Sequence, residues 1–167
     1  MSSENIKVLL LFGMSGAGKT YLGELISSRL GYFHYELDRD LTPAMRAAIA
    51  AKRSFTEQER DEYFEQVVVR MQEILTQHPK TVFTQGVYKE RHREALRRRI
   101  PGLETVWVQA PQSVIQNRLQ RREGGVPPDY AEMITRNFEV PLAGRTLVND
   151  EICSEELLRR FKALFGA

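Results

Sequence analysis

A short segment of the sequence, Gly13–Thr20, combines three closely spaced glycines with a lysine and a threonine. Glycines let a backbone turn sharply and aim several N–H groups at phosphate oxygens, and a helix that begins there adds its positive end. A lysine ammonium suits the β- and γ-phosphates of a nucleotide, and a threonine hydroxyl suits Mg²⁺. The segment therefore predicts a phosphate loop for ATP and Mg²⁺, with the binding residues Gly13, Ser15, Gly16, Ala17, Gly18, Lys19 and Thr20. The alternative is a glycine-rich turn without a nucleotide, but such a turn has no use for the Lys-Thr pair.

Two acidic residues, Glu36 and Asp38, are candidates for metal and proton chemistry. They end a predicted strand, and α/β proteins bind ligands at the carboxyl ends of their strands. Phosphoryl transfer to a hydroxyl needs a group that receives the proton, and we predict Asp38 as this base and as a contact for the acceptor. Glu36 is predicted to orient a metal-bound water, with Thr20 as the other metal ligand. Alternatives stay open: Asp38 as a helix cap or turn residue, Glu36 as a solvated strand end, and Asp40 as the base.

The elements that must position these residues are short apolar runs that alternate with helical patterns. The strands are predicted at Ile6–Phe12, Tyr32–Glu36, Thr81–Thr84, Glu104–Gln109 and Arg145–Val148. The helices are predicted at Lys19–Leu30, Pro43–Ala51, Glu57–Gln77, Lys89–Arg99, Pro111–Arg122, Tyr130–Phe138 and Ser154–Phe165. This alternation indicates an α/β fold with right-handed crossovers and a parallel sheet covered on both faces. Tyr63, Phe64, Val67 and Met71 recur at helical spacing and are predicted to belong to the core.

Two other classes of phosphate-loop protein lack their signals in this sequence. A signalling GTPase needs Asn-Lys-x-Asp and Asp-x-x-Gly, but no Asn is followed by Lys and no Asp by Gly three residues later. A motor or transporter ATPase usually has a strand that ends in acidic residues, whereas the segment Thr81–Gly86 ends without one. The second acid for a metal must therefore come from Glu36 or Asp38.

The combination of phosphate loop and acidic pair resembles the small-molecule kinases of the gluconokinase and shikimate kinase group. Further short matches point to the gluconokinase side of that group, and they are Glu57–Arg60, Gln85–Arg93, Arg118-Leu119, Arg122–Gly124 and Phe138-Glu139. The sequence departs from the family where Glu36 replaces an Asp, Leu41 replaces a His, and Gly124-Gly125 replaces a Gly-His. The resemblance therefore implies phosphoryl transfer without fixing gluconate as the acceptor.

The resemblance also implies a three-layer phosphate-loop fold with the strand order 2-3-1-4-5 and a small lid. It implies an ATP-dependent phosphotransferase that acts on a hydroxyl of a small anionic molecule. In that comparison Lys19, Asp38 and Arg122 are catalytic, with Arg122 acting on the transferring phosphoryl group, and Arg118 stacks on adenine. The acceptor is expected to contact Asp38, Arg60, Lys89 and Arg93, because guanidinium forks suit a carboxylate or phosphate.

Composition limits the remaining possibilities. The 167 residues suit a single domain, with a substrate-binding helical segment at about 40–78 and a lid at about 121–130. A net charge of +2 argues against nucleic-acid or membrane partners. One cysteine excludes an intramolecular disulfide and favours a reducing, cytoplasmic location, and the three histidines lack zinc spacing. We expect a monomer or a homodimer, and the sequence leaves the choice between them open. Alternatives are a nucleotide or antibiotic kinase of the same fold and a non-catalytic ATP-binding regulatory domain. A polynucleotide 5′-kinase would need an extended basic groove, and the net charge and the length of this chain argue against that class.

Overall fold

Five parallel strands form the central sheet in the computed structural model, which describes residues 6–123 and 127–166. The strands are β1 (Val8–Phe12), β2 (Phe33–Glu36), β3 (Thr81–Thr84), β4 (Leu103–Gln109) and β5 (Arg145–Val148). Their order in the sheet is β2-β3-β1-β4-β5. The predicted fold class and strand order are therefore confirmed, and β1 lies at the centre of the sheet.

Seven α-helices connect and cover the strands in the described part of the chain. They are α1 (Lys19–Leu30), α2 (Pro43–Ala50), α3 (Glu57–Gln77), α4 (Glu90–Arg99), α5 (Gln112–Arg121), α6 (Pro128–Thr135) and α7 (Ser154–Ala163). Most ends lie within two residues of the predicted ones. The largest difference is α6, which begins at Pro128 and ends at Thr135 instead of spanning Tyr130–Phe138, because proline is well tolerated in the first turn of a helix.

The sheet is buried on both faces, as its apolar strands require. All five residues of β1 are buried. Side chains that point to one face, such as Leu9 and Leu11, pack with α1 and α7, and those that point to the other, such as Leu10 and Phe12, pack with α3 and α4. Continuous apolar runs are typical of parallel strands covered on both sides. Within residues 6–123 and 127–166, no helix has the length and apolarity needed to cross a membrane.

Two local features fix the elements that approach the phosphate loop. The long helix α3 begins with a reciprocal capping box, in which the Thr56 hydroxyl accepts from the Glu59 N–H and the Glu59 carboxylate accepts from the Thr56 N–H. After β2, the residues Leu37–Asp40 form a single 3₁₀ turn that the sequence pattern did not predict. This turn redirects the acidic segment, and it decides which of its carboxylates faces the phosphate loop.

Candidate active site

A cavity of about 480 Å³ opens where the loops after β1, β2 and β3 meet. Its first part, which we call the phosphate half, is lined by the phosphate loop together with Asp38, Arg118 and Arg122; the lining residues of the loop are Gly13, Ser15, Gly16, Gly18, Lys19 and Thr20. Its second part, which we call the side chamber, is walled by α2, α3, α6 and the loop that joins β3 to α4. Ligand sites commonly have this size, and they combine apolar walls with a few polar groups. The two parts are continuous, so two ligands could meet inside the cavity.

The predicted phosphate loop has the geometry that its glycines allow. Gly13 and Gly18 have φ angles of +144° and +90°, a region that favours glycine. A Cβ atom at Gly13 would collide with the Val108 carbonyl oxygen, and one at Gly18 would collide with the Asn149 amide. The loop is also tied to the neighbouring strand, since the Gly13 N–H donates to the Gly86 carbonyl at 3.3 Å. The backbone can therefore approach a ligand closely at the start of α1.

Lys19 is held inside the phosphate loop by the loop's own carbonyls. Its Nζ donates to the Gly13 oxygen at 2.9 Å and to the Met14 oxygen at 2.8 Å. The pKa of Lys19 is lowered to about 8, chiefly by burial, with Asp38 acting in the opposite direction and Arg122 adding a smaller lowering effect. A buried ammonium with a lowered pKa is a site that gains from an anion. The adjacent Thr20 is exposed to the cavity.

The 3₁₀ turn separates the two candidate bases. Asp38 lines the cavity, and its Oδ1 accepts from the Gln85 amide at 3.3 Å. The walls of the cavity shield Asp38 and raise the pKa of its carboxyl, whereas Lys19 lowers it. Asp40 lies outside the cavity lining, and its carboxylate accepts from the Tyr35 hydroxyl at 2.9 Å and pairs with the Arg70 Nε at 3.4 Å. Of the two carboxylates, Asp38 is the one that lines the cavity, and its role as the base stays a proposal.

Glu36 ends β2 without lining the cavity, although it lies close enough to Asp38 to influence its charge state. The hydroxyl of Thr20 and the carboxylate of Asp38 do line the cavity, and such oxygen donors fit Mg²⁺. Mg²⁺ usually keeps several waters and takes only one or two protein ligands beside phosphates. The residues present therefore fit this ion, and direct or water-mediated ligation by Glu36 remains a prediction.

The loop between β3 and α4 holds functional candidates that sequence reasoning missed. Gln85 bridges Asp38 and the loop, because its amide donates to Asp38 while its carbonyl oxygen accepts from the Val87 N–H. Val87 has a φ of +39°, which is costly for a β-branched residue and is often found at functional sites. The next residue, Tyr88, is half-buried beside Gly86 and faces the phosphate loop at Ser15. No sequence motif predicts this bridge. The one indication in the sequence is that Gln85, a polar residue, directly follows strand β3.

Arg118 braces the phosphate loop from α5. Its guanidinium donates to the Gly16 carbonyl at 3.2 Å and to the Asn149 backbone carbonyl at 3.2 Å. Asn149, a buried residue directly after β5, donates in turn to the Ala17 carbonyl at 3.2 Å. Sequence reasoning missed Asn149, which lies far along the chain from the loop it supports. Arg118 also lines the cavity, where its predicted stacking on adenine stays a proposal.

Arg60 and Lys89 both line the side chamber, but their surroundings differ. Lys89 lies between two carboxylates, with Glu139 at 3.3 Å and Glu57 at 3.8 Å. The Arg60 side chain is only 10% exposed, and its nearest carboxylate is Glu57 at 3.8 Å from Nε. That buried Nε has no hydrogen-bond partner among the described residues. Of these two cations, Arg60 is therefore the one with more capacity left for a ligand.

Arg93 does not reach the cavity, and its predicted contact with the acceptor is corrected to a structural role. Its side chain is fully buried, and its guanidinium donates to the Glu90 carboxylate at 2.8 Å and to the carbonyls of Val87 and Glu139. The group also lies between the rings of Phe12 and Phe138. Arg93 is therefore engaged by protein groups. Its hydrogen bond to the Val87 carbonyl stabilises the loop in which Val87 has a positive φ.

The predicted lid at about 121–130 is described only in part. Arg122 follows α5 directly and lines the phosphate half of the cavity, as its predicted catalytic role requires. Residues 124–126 lie outside the described residues. Beyond them, α6 is attached to the segment after α2, because the Tyr130 hydroxyl donates to the Arg53 carbonyl at 2.9 Å and Lys52 pairs with Asp129 at 2.9 Å.

The family described as an AAA domain (AAA_33) matches residues 8–141, which is most of the chain. Among characterised proteins, the gluconokinase of Gluconobacter oxydans (strain 621H) is 26% identical over 164 residues, which are 94% of this chain and 92% of that protein.

Solved structures show the same fold. A gluconokinase from Sinorhizobium meliloti 1021 has a TM-score of 0.79 and 24% identity, covering 96% of this chain and 91% of that chain. The shikimate kinase from Acinetobacter baumannii, in complex with shikimate, has a TM-score of 0.63 and 17% identity, covering 96% and 93%. Together with the family match, these similarities confirm the predicted resemblance to phosphate-loop small-molecule kinases.

Proposed function

The chain belongs to the family described as an AAA domain, and from this premise we propose that it is an ATP-dependent phosphotransferase that phosphorylates a hydroxyl of a small anionic molecule. One observation carries the proposal. Lys19 of the phosphate loop and the carboxylate of Asp38 line the same cavity as the buried guanidinium of Arg60. This arrangement supplies a phosphate site, a base and a site for an anionic acceptor within one cavity.

Asp38 is the proposed base. It accepts the proton of the acceptor hydroxyl as that oxygen forms its bond to the γ-phosphorus and the bond from the γ-phosphorus to the bridging oxygen of ADP breaks. Gln85 holds the carboxylate through its 3.3 Å hydrogen bond, so the base is oriented before the acceptor arrives. A carboxyl with a raised pKa accepts a proton more readily than an ordinary aspartate, which suits the task.

Lys19 and Arg122 are the proposed cations for the phosphates. Both line the phosphate half, and Arg122 lies close enough to contribute to the lowered pKa of Lys19. In a loose transition state the charge spreads over the phosphoryl oxygens, and fixed cations stabilise it. Lys19 must exchange its two carbonyl partners for phosphate oxygens on binding. Mg²⁺, held by Thr20 with the help of Glu36 or Asp38, would neutralise further phosphate charge when bound.

The acceptor is proposed to lie in the side chamber, with its anionic group on Arg60 and with Lys89 at the rim. The helical segment at about 40–78 supplies most of this chamber, and the lid at about 121–130 is proposed to close over both ligands. The relative in Gluconobacter oxydans carries the name gluconokinase, but the residues Glu36 and Leu41 depart from the gluconokinase pattern. The acceptor class therefore needs an independent argument.

The direct test is a screen for ATP consumption over sugar acids, shikimate, nucleosides, nucleotides and aminoglycosides, with products identified by mass. We expect one class to gain a single phosphoryl group in a reaction that Lys19→Ala abolishes. The matched control is Lys7→Ala, which removes an exposed lysine that does not line the cavity. If ATP binds but no class is phosphorylated, the proposal loses its support and a non-catalytic ATP-binding domain becomes the better explanation.

A further inference from the structure

The walls of the side chamber are predominantly apolar. Met45 and Ile49 of α2, Phe64 and Val67 of α3, and Ile134 of α6 all line it. None of these side chains can donate or accept a conventional hydrogen bond. A ligand that fills this space therefore gains from apolar surface, at about 25 cal/mol for each Å² removed from water.

Two of the tyrosines that line the cavity, Tyr63 and Tyr130, have already used their donors. The Tyr63 hydroxyl donates to the Leu37 carbonyl at 2.6 Å, and the Tyr130 hydroxyl donates to the Arg53 carbonyl at 2.9 Å. Burial raises the pKa of both phenols, so both stay protonated at neutral pH. Each hydroxyl keeps only a lone pair for a ligand, and neither can donate to a ligand oxygen.

His92 and Gln85 are committed in the same way. The His92 Nε2 donates to the Asp61 carboxylate at 2.8 Å, and its ring stacks on Phe64 with centroids 4.6 Å apart. Burial lowers the pKa of His92, so its ring is neutral at pH 7 and offers a flat face to the chamber. The Gln85 side-chain N–H donates to the Asp38 carboxylate, and its side-chain oxygen accepts from the Val87 N–H.

A polyhydroxylated acceptor fits this chamber poorly. Each buried hydroxyl that finds no partner costs about 1–3 kcal/mol, and a linear sugar acid carries several. Tyr88 and Lys89 also line the cavity, but Lys89 already pairs with Glu57 and Glu139. The charged groups with capacity for a ligand are the Asp38 carboxylate and the Arg60 guanidinium, whose Nε has no hydrogen-bond partner among the described residues and which lies 5.4 Å from the Phe55 ring centroid. Together they call for one hydroxyl and one anionic group separated by an apolar body.

We infer that the acceptor is an amphipathic hydroxy acid, with an aromatic or compact hydrocarbon body between its hydroxyl and its anionic group, and not a sugar acid. This inference rests on the proposed phosphotransferase function, and it names the acceptor class for that function. The apolar walls contact the body, Arg60 binds the anionic group, and Asp38 receives the hydroxyl proton.

The test compares two acids of equal charge that both carry a primary hydroxyl: 4-(hydroxymethyl)benzoate and gluconate. Calorimetric titration into the protein saturated with Mg²⁺ and a non-hydrolysable ATP analogue should give the aromatic acid an affinity at least tenfold higher. The neutral 4-methylbenzyl alcohol should bind at least tenfold more weakly than the aromatic acid, because it cannot pair with Arg60. The absence of a preference for the aromatic acid, including no binding of either acid, overturns the inference.

Two matched variants locate the preference. Ile49→Gln places a polar group in the chamber wall and should weaken binding of the aromatic acid at least fivefold, while the affinity for the ATP analogue stays unchanged. Val69→Gln makes a similar change on an exposed site of α3 outside the cavity and should alter neither affinity. If Ile49→Gln leaves the preference for the aromatic acid intact, the side chamber does not select the acceptor and the inference is overturned.

Product analysis separates this inference from the function on which it rests. Transfer of phosphate to gluconate but not to the aromatic acid would retain the phosphotransferase and overturn the acceptor class. Binding of the aromatic acid with the expected preference, but without transfer to any hydroxy acid tried, would support the chamber's ligand class and count against the phosphotransferase.

Discussion

The phosphate half and the side chamber are built on opposite principles. In the phosphate half, single atoms must lie at defined positions. Gly18 leaves space for the Asn149 amide, and the Arg118 guanidinium donates to two backbone carbonyls. In the side chamber, most walls are apolar side chains such as Val67 that also belong to the core of the fold. The first region binds by aimed donors and charge, and the second by shape and apolar area.

This difference predicts how strongly substitutions in each region affect ligand binding and catalysis. A polar site depends on the placement of single atoms, so removing one group has a large effect. An apolar chamber distributes its effect over many contacts, and hydrophobic residues of similar size can often replace one another there at little cost. We therefore expect large, localised effects in the phosphate half and smaller effects on selectivity in the side chamber.

The largest effect is expected for Asp38→Asn. The amide keeps the shape of the side chain but cannot accept the proton, so kcat should fall about 10²–10⁴-fold while ATP affinity changes little. Asp40→Asn is the matched control two residues away, and it should keep most of the activity because Asp40 pairs with Arg70 and Tyr35 outside the cavity. Steady-state kinetics on the identified acceptor would decide. An inactive Asp40→Asn beside an active Asp38→Asn would reverse the assignment.

Glu36→Gln tests the remaining acid of this segment. If Glu36 helps to hold the ion, its amide variant should need more Mg²⁺ for half-maximal activity. An unchanged Mg²⁺ dependence would leave Glu36 as a polar strand end.

The next effect concerns ATP binding itself. A ligand at a hundredfold excess over its Kd stabilises the native state by about 2.7 kcal/mol, and Lys19→Ala should remove most of this stabilisation. The variant should still fold without ATP, because the hydrogen bonds that Lys19 donates in the free protein are two, both to carbonyls of its own loop. Thermal unfolding with and without Mg-ATP measures the difference. An equal ATP-induced shift in wild type and variant would contradict the phosphate-loop assignment.

The sequence predicted the phosphate half better than the side chamber for a physical reason. A phosphate needs specific residue types at consecutive positions, and Gly13–Thr20 therefore carries its function in its own order. The apolar spacing of Phe64 and Val67 correctly predicted core residues. It could not show that the same helix face also lines a cavity, because burial in a core and burial around a ligand produce the same pattern.

Long-range partners account for most of what the sequence left open. Arg93 looked like a substrate cation, but Glu139, which receives its hydrogen bond, is 46 residues away along the chain. Asn149 supports Ala17 across 132 residues. The 3₁₀ turn that separates Asp38 from Asp40 depends on tertiary contacts such as the Tyr63 hydroxyl on the Leu37 carbonyl. Local patterns contain none of this information.

A smaller effect is expected at Arg60, the side-chamber cation whose Nε has no hydrogen-bond partner among the described residues. Arg60→Met keeps much of the apolar stem but removes the guanidinium, and hydrogen bonds to charged groups contribute about 1.5–3 kcal/mol. KM for the acceptor should therefore rise about 10–100-fold, with ATP affinity unchanged. Arg97→Met is a suitable control, because Arg97 also pairs with a glutamate on this side of the fold but does not line the cavity. An unchanged KM in Arg60→Met would remove Arg60 from the acceptor site.

The smallest effect is a pH dependence confined to the phosphate half. Burial lowers the pKa of Lys19 to about 8 in the free protein, whereas bound phosphates would favour its charged form and raise that pKa. Above pH 8 the free protein loses the proton that the complex retains, so ATP binding must take up a proton, and Kd should rise by up to about tenfold for each pH unit. Calorimetric titrations between pH 7 and 10 in buffers of different ionisation enthalpy would measure both the affinity and the proton uptake.

Lys19→Arg keeps a charge throughout this range, so its affinity for ATP, although lower at pH 7, should stay nearly constant. Binding of the aromatic acid depends on Arg60, which remains protonated, and should not follow this profile. If the aromatic acid weakened in parallel with ATP, the two parts of the cavity would not be the independent sites that their construction indicates.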